Sequence, residues 1–96
     1  MPKKSKGVPK DYQHHKDQVA KGIGARIRKR RIDLNLSQRG LRERLQLEGV
    51  YVTRSQFSRI ESGERLPVAT EIIALGASLE VSCSWILLGS KERQGS

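Results

Sequence analysis

The stretch from Thr53 to Gly63 reads T-R-S-Q-F-S-R-I-E-S-G and carries both a start and a stop signal for a helix. The Thr53 hydroxyl can accept a backbone N–H three residues on, while Gln56 can reach back to the N–H of Thr53, a capping box. Gly63 ends the run, because glycine adopts the left-handed conformation that closes helices. Wound at about 100° per residue, the stretch points Phe57 and Ile60 inward, with Glu61 close beside them. Ser55, Arg59 and Ser62 point outward, flanked by Arg54, Gln56 and Ser58. That outer face is short, uncharged or cationic, and rich in donors. A helix entering the major groove of duplex DNA needs such a face, since it must reach base edges without repelling phosphates. An ordinary solvated helix carries the same residue types, so this stretch alone leaves both readings open.

Composition narrows the choice. The 96 residues are enough for one small domain with tails. Lys and Arg number 19 against 10 Asp and Glu, a formal net charge of +9. Such an excess favours a polyanionic partner, nucleic acid ahead of an anionic membrane surface. No apolar run approaches the roughly 20 residues of a membrane span, and no apolar signal segment follows the basic N-terminus. The expectation is a soluble, cytoplasmic, nucleoid-associated protein. Cys83 is the single cysteine, which rules out an internal disulfide and a cysteine-based zinc site. His14 and His15 are adjacent and do not share a helix face, so no metal and no cofactor is expected. The aromatic residues Tyr12, Tyr51, Phe57 and Trp85 are too scattered for a base-stacking platform, which counts against a reader of single-stranded RNA.

Taken in order, residues 1–18 hold Lys3, Lys4, Lys6, Lys10 and Lys16 without apolar periodicity and read as a flexible basic tail, either a solubilising leader or an arm reaching phosphates. Residues 19–89 read as the folded domain. Val19, Ile23, Ile27 and Leu34 form a core-facing stripe. Gly22 and Gly24 weaken its early part and place the firm helix start near Ile23. Its polar side carries Arg26, Arg28, Lys29 and Arg30, a solvated face or one bordering phosphates. Ser37 caps a second helix, from about Gln38 to Glu48, with Leu41, Leu45 and Leu47 inward. Val50, Tyr51 and Val52 form a short β-prone lead into Thr53. A fourth helix runs from Ala69 or Thr70 to Leu79, with Ile72, Leu75 and Leu79 as its stripe. A short fifth helix spans Cys83 to Leu88, and residues 90–96 are a polar tail. Five short helices with tight connections predict an all-α bundle. No catalytic constellation and no phosphate-binding glycine loop is present, so an enzyme is not expected.

From Ile23 to Gly89 the chain resembles the phage-repressor/Cro (XRE) helix-turn-helix family. The resemblance rests on I-G-A-R-I-R-K-R-R, L-S-Q-R-G-L, F-S-R-I-E-S-G-E-R-L-P and L-E-V-S-C-S-W-I-L-L-G, in that order. It implies a compact five-helix bundle whose third helix lies in the major groove of double-stranded DNA. Arg54, Ser55, Gln56 and Arg59 are the implied base readers, with Arg59 the foremost guanine reader. Ser37 and Gln38, at the start of the second helix, are implied phosphate contacts. Ser58, Ser62 and Arg65 are further phosphate candidates. The resemblance also implies an Arg31–Glu61 ion pair fixing the third helix against the first. It implies a homodimer on an inverted-repeat operator, joined through an apolar patch of Ile86, Leu87 and Leu88 around Trp85. Read on its own, Trp85 equally closes the base of the core.

Three features depart from the family pattern. The spacing from Ser37 to Glu61 is longer than usual, which lengthens the turn between the second and third helices at Gln46 to Tyr51. Arg42 stands where the family has alanine, implying a wider helix crossing or a side chain turned toward solvent or phosphate. Glu80 stands where glycine is common. The leading expectation is a sequence-specific transcriptional regulator that represses by occupying its operator. One rival is an antitoxin-type protein that binds a partner toxin, through the insertion and Tyr51, and autoregulates its operon. A second is a non-specific basic architectural protein, whose affinity would follow salt alone.

Overall fold

The computed structural model describes residues 10–90. Five helices follow one another: α1 (Lys10–Asp33), α2 (Gln38–Leu47), α3 (Arg54–Ser62), α4 (Ala69–Leu79) and α5 (Cys83–Leu88). No strand occurs among the described residues, and Val50 to Val52 is irregular chain rather than a β-prone lead.

The ends of these helices follow local chemistry. Ser37 Oγ accepts the Gly40 N–H at 2.9 Å and caps α2. Thr53 Oγ1 accepts the Gln56 N–H at 3.1 Å, and Gln56 Oε1 accepts the Thr53 N–H at 2.9 Å. Ser82 Oγ accepts the Trp85 N–H at 2.9 Å at the head of α5. Gly63 closes α3 in the left-handed region, φ 83. Replacing Thr53 by alanine removes one arm of the box and lowers the unfolding free energy by about 1 kcal/mol. Urea melts should show this as a lower midpoint with an unchanged slope; an unshifted midpoint would mean that the Gln56 arm alone secures the helix start.

The first helix departs from expectation. It begins at Lys10, so residues 10–18 are its opening turns and not part of a tail; residues 1–9 lie outside the described part of the chain. Apolar periodicity reports a packed face, and residues 10–19 are all exposed, so they carry no stripe to read. Their helicity draws instead on Asp11 in the first turn, which suits the positive end of the helix dipole, and on a Gln13–Asp17 bond at 3.2 Å. Val19 is exposed, and the buried stripe runs through Ala20, Ile23, Gly24, Ile27 and Arg31.

The core is one cluster built from every helix. Ile23, Ile27, Leu41, Leu45, Val52, Phe57, Ile60, Ile72, Ala74, Leu75, Leu79 and Ile86 are buried together, with Trp85 and Cys83 packed half-buried against them. Two assignments change here. Leu47, expected inward, is 86% exposed. Ile86, expected in a surface patch, is fully buried, and only Leu87 and Leu88 of that trio remain exposed.

Three arginines hold the lower end of the bundle. Arg30 Nε donates to the Leu79 carbonyl at 2.9 Å, and Arg44 Nη1 donates to the Ser78 carbonyl at 2.9 Å. Both satisfy carbonyls at the C-terminus of α4, where a cation also suits the dipole. Arg26 does the same for α5, with Nε 2.8 Å from the Ile86 carbonyl and Nη2 2.9 Å from that of Leu87. Burial holds the Arg26 guanidinium below the usual arginine pKa. Arg26 and Arg30 are therefore structural clamps, not members of a solvated face. Glu80, at the glycine-favoured position after α4, sits in the left-handed region at φ 60, a conformation costing an L-residue about 1–2 kcal/mol.

Candidate nucleic-acid interface

α3 is positioned by a buried carboxylate. Glu61 Oε2 accepts from Arg31 Nε at 2.7 Å, and Glu61 Oε1 accepts from Arg31 Nη2 at 3.0 Å. The side chains of Arg31 and Glu61 are only 11% and 5% exposed, so this two-pronged pair is shielded from solvent. Arg31 Nη1 also donates to the Leu36 carbonyl at 2.9 Å. Gln38 Nε2 adds a third bond to the carboxylate, on Oε1 at 2.9 Å, and Gln38 Oε1 accepts from Ser58 Oγ at 3.3 Å. The end of α1, the start of α2 and the inner face of α3 thus meet on one group.

Close backbone approach completes the anchorage. A Cβ on Gly24 would lie 2.3 Å from the Ile60 carbonyl oxygen and 2.5 Å from that of Glu61. Only a glycine lets α1 and α3 touch there.

With the inner face so held, Arg54, Ser55, Gln56 and Arg59 are all exposed on the other side of α3. Arg54 has no hydrogen-bond or ion-pair partner among the described residues. Arg59 is 3.9 Å from Glu64, with both side chains more than half exposed, a contact too open to hold either. Gln56 spends its amide oxygen on the cap of its own helix. Ser58 leans on Gln38, and Ser62 donates to the Arg59 carbonyl at 3.2 Å and to Glu64 at 3.1 Å. Ser37 caps α2 at the same surface.

Arg65 is placed differently from its expectation as a phosphate contact. Its Nη2 donates to Glu71 Oε2 at 3.0 Å, and its Nη1 is buried without a partner. Glu71 in turn accepts the Val68 N–H at 2.9 Å, so Arg65 braces the start of α4. The brace joins the connection after α3 to the first turn of α4.

The helix-turn-helix domain family matches residues 23–83, from the middle of α1 to the start of α5. The chain belongs to the phage-repressor (XRE/Cro) helix-turn-helix family. The HTH-type transcriptional regulator DicA of Escherichia coli (strain K12) is 38% identical to it over 72 residues, which is 75% of this chain and 50% of that protein. The chain thus spans half the length of this relative. No solved structure matches it significantly.

In this XRE-type fold α2 and α3 are the motif helices, and the connection between them is long. Gly49 turns in the left-handed region at φ 84, Val50 N–H bonds to the Leu45 carbonyl at 2.9 Å, and Val52 is buried. Tyr51, between two inward valines, is 71% exposed. Arg39, Arg42 and Arg54 line a cleft of about 470 Å³ with Ser37 and Gln38, between the two motif helices. Among the described residues no cluster of histidine, cysteine or carboxylates could hold a metal, and no helix is long and apolar enough to cross a membrane.

Proposed function

We propose that the chain is a sequence-specific double-stranded DNA-binding transcriptional regulator that represses by occupying an inverted-repeat operator as a homodimer. Residues 54–62 enter the major groove, with Arg54, Ser55, Gln56 and Arg59 toward base edges. The observation that carries this reading is the division of α3. The one carboxylate of α3, Glu61, is neutralised and buried against Arg31, while the outer face of the helix presents only donors and cations. The printed description of DicA as a transcriptional regulator supports the same class.

Selection of duplexes from a random library near 0.15 M salt, the physiological range, tests the reading. Enrichment of an inverted repeat is the expected result. Retention without an enriched motif would replace it by the architectural reading. Arg59→Ala is expected to relax preference at one base position in each half-site by about 1–3 kcal/mol. An unaltered motif from the same selection removes Arg59 from the base readers.

A second reading is favoured by one observation. Leu47, at the end of α2, and Tyr51, on the lengthened connection, expose apolar surface, which suits a protein partner such as the toxin of an antitoxin-type regulator. Failure to retain any duplex, with a stoichiometric complex formed through Leu47 and Tyr51, would make that role primary.

A further inference from the structure

The cleft between the motif helices has a composition that the base-reading face does not explain. Its lining side chains are Ser37, Gln38, Arg39, Arg42 and Arg54, with no carboxylate among them. Gln38 is not free to serve it, because both ends of its amide are engaged, one on Glu61 and one on Ser58. Arg39 meets Glu43 at 3.4 Å, but both side chains lie mostly in solvent, where such a pair holds weakly. Arg42 is half-buried and its Nε is buried with no hydrogen-bond partner. A buried donor left unpaired is costly, and a guanidinium in a cleft lined by two others is electrostatically unfavourable as well. An oxyanion in the cleft relieves the second directly, and the first once the guanidinium turns toward it.

We propose that this cleft is a phosphodiester site, in which Arg42 donates to a phosphate of the bound duplex, with Arg39 and Arg54 at its sides. The inference rests on the DNA-binding reading and names a contact beyond it. Arg54 lines the cleft and also opens α3, so a phosphate seated here lies at the edge of the groove that α3 enters. Planar, two-pronged donation makes arginine the suitable side chain for such an oxyanion. The positive ends of α2 and α3 add to the attraction without carrying it. Because a phosphate is common to every sequence, Arg42 sets affinity and register rather than base preference.

Arg42→Ala isolates this role. Arg42 makes no hydrogen bond among the described residues, and alanine is the stronger helix former, so the variant should melt at or above the temperature of the parent. On a duplex carrying the selected operator, its affinity is expected to fall about tenfold at 0.15 M salt. The plot of log K against log salt should become shallower by about 0.9, the value of one phosphate contact. Arg42→Lys should retain the slope while losing part of the affinity, and the enriched motif should be the same for all three proteins. Equal slope and affinity in Arg42→Ala would overturn the proposal. So would a changed base preference, which would make Arg42 a base reader. If the parent protein retains no duplex, but inorganic phosphate raises its Tm and not that of Arg42→Ala, the cleft takes a free phosphate and the duplex assignment fails together with the DNA-binding reading.

Discussion

Glu61→Ala is expected to lower the unfolding free energy by about 3–5 kcal/mol, because it leaves the Arg31 guanidinium buried without its counter-charge. Domains of this size are stable by only about 5–15 kcal/mol, so much of the total is at stake. Arg31→Ala should cost a similar amount, leaving the carboxylate uncompensated but for Gln38. The informative protein is the double replacement by apolar residues of similar length, Arg31→Met with Glu61→Leu. It should be markedly more stable than the sum of the singles implies, since neither charge is then stranded. Urea melts of the parent, Arg31→Met, Glu61→Leu and the double variant close the cycle. A coupling below about 0.5 kcal/mol would mean that the two side chains act independently, and that the pair does not anchor α3. Where the double variant folds, its DNA affinity separates stability from placement. The apolar pair packs α1 on α3 without the Gln38 bond that ties in α2.

Gly24→Ala should be destabilising by about 2 kcal/mol, although alanine is the better helix former by up to about 1 kcal/mol. The added Cβ would meet the Ile60 and Glu61 carbonyl oxygens at 2.3 and 2.5 Å. These are backbone atoms of a capped helix, so relief requires α1 and α3 to move apart, which also stretches the Arg31–Glu61 bonds. Gly22, one turn-half earlier on the same helix, supplies the control. A Cβ there would meet only the Arg26 guanidinium, at 3.3 Å from Nη1, so that the clamp need give by no more than a few tenths of an ångström. Gly22→Ala should therefore be much the milder change, its propensity gain of about 0.5–1 kcal/mol offset in part by pressure on the Arg26 clamp. Two thermal melts decide the matter: a loss in Gly24→Ala no larger than any in Gly22→Ala would refute the crossing at Gly24.

Much of the architecture was legible because it depends on neighbouring residues. The capping box at Thr53 and Gln56, the Ser37 cap and the closing Gly63 each act within one helical turn. The buried stripes of α2, α3 and α4 follow from their periodicity. The same reasoning separated the outer residues of α3 from Phe57 and Ile60, since a helix bounded at both ends leaves little freedom in which face is which.

Elsewhere the deciding interaction lay far along the chain. Residues 10–18 are helical yet have no packed face, so they offered no apolar pattern by which to distinguish helix from tail. Val19 and Leu47 occupy plausible inward positions in their periods, but the neighbouring helices do not cover them. Arg26 and Arg30 read as part of a polar surface face, and their acceptors are backbone carbonyls 49 to 61 residues away. A carbonyl at a helix end has the same chemistry whatever its side chain, so no residue pattern marks it as an acceptor. The same holds for Gly24, whose effect on helix propensity is local but whose value lies in the carbonyls of α3 packed against it. Local chemistry settled where most of these helices begin and end; the arrangement of one helix on another decided which polar groups are spent inside the fold and which remain to meet a partner.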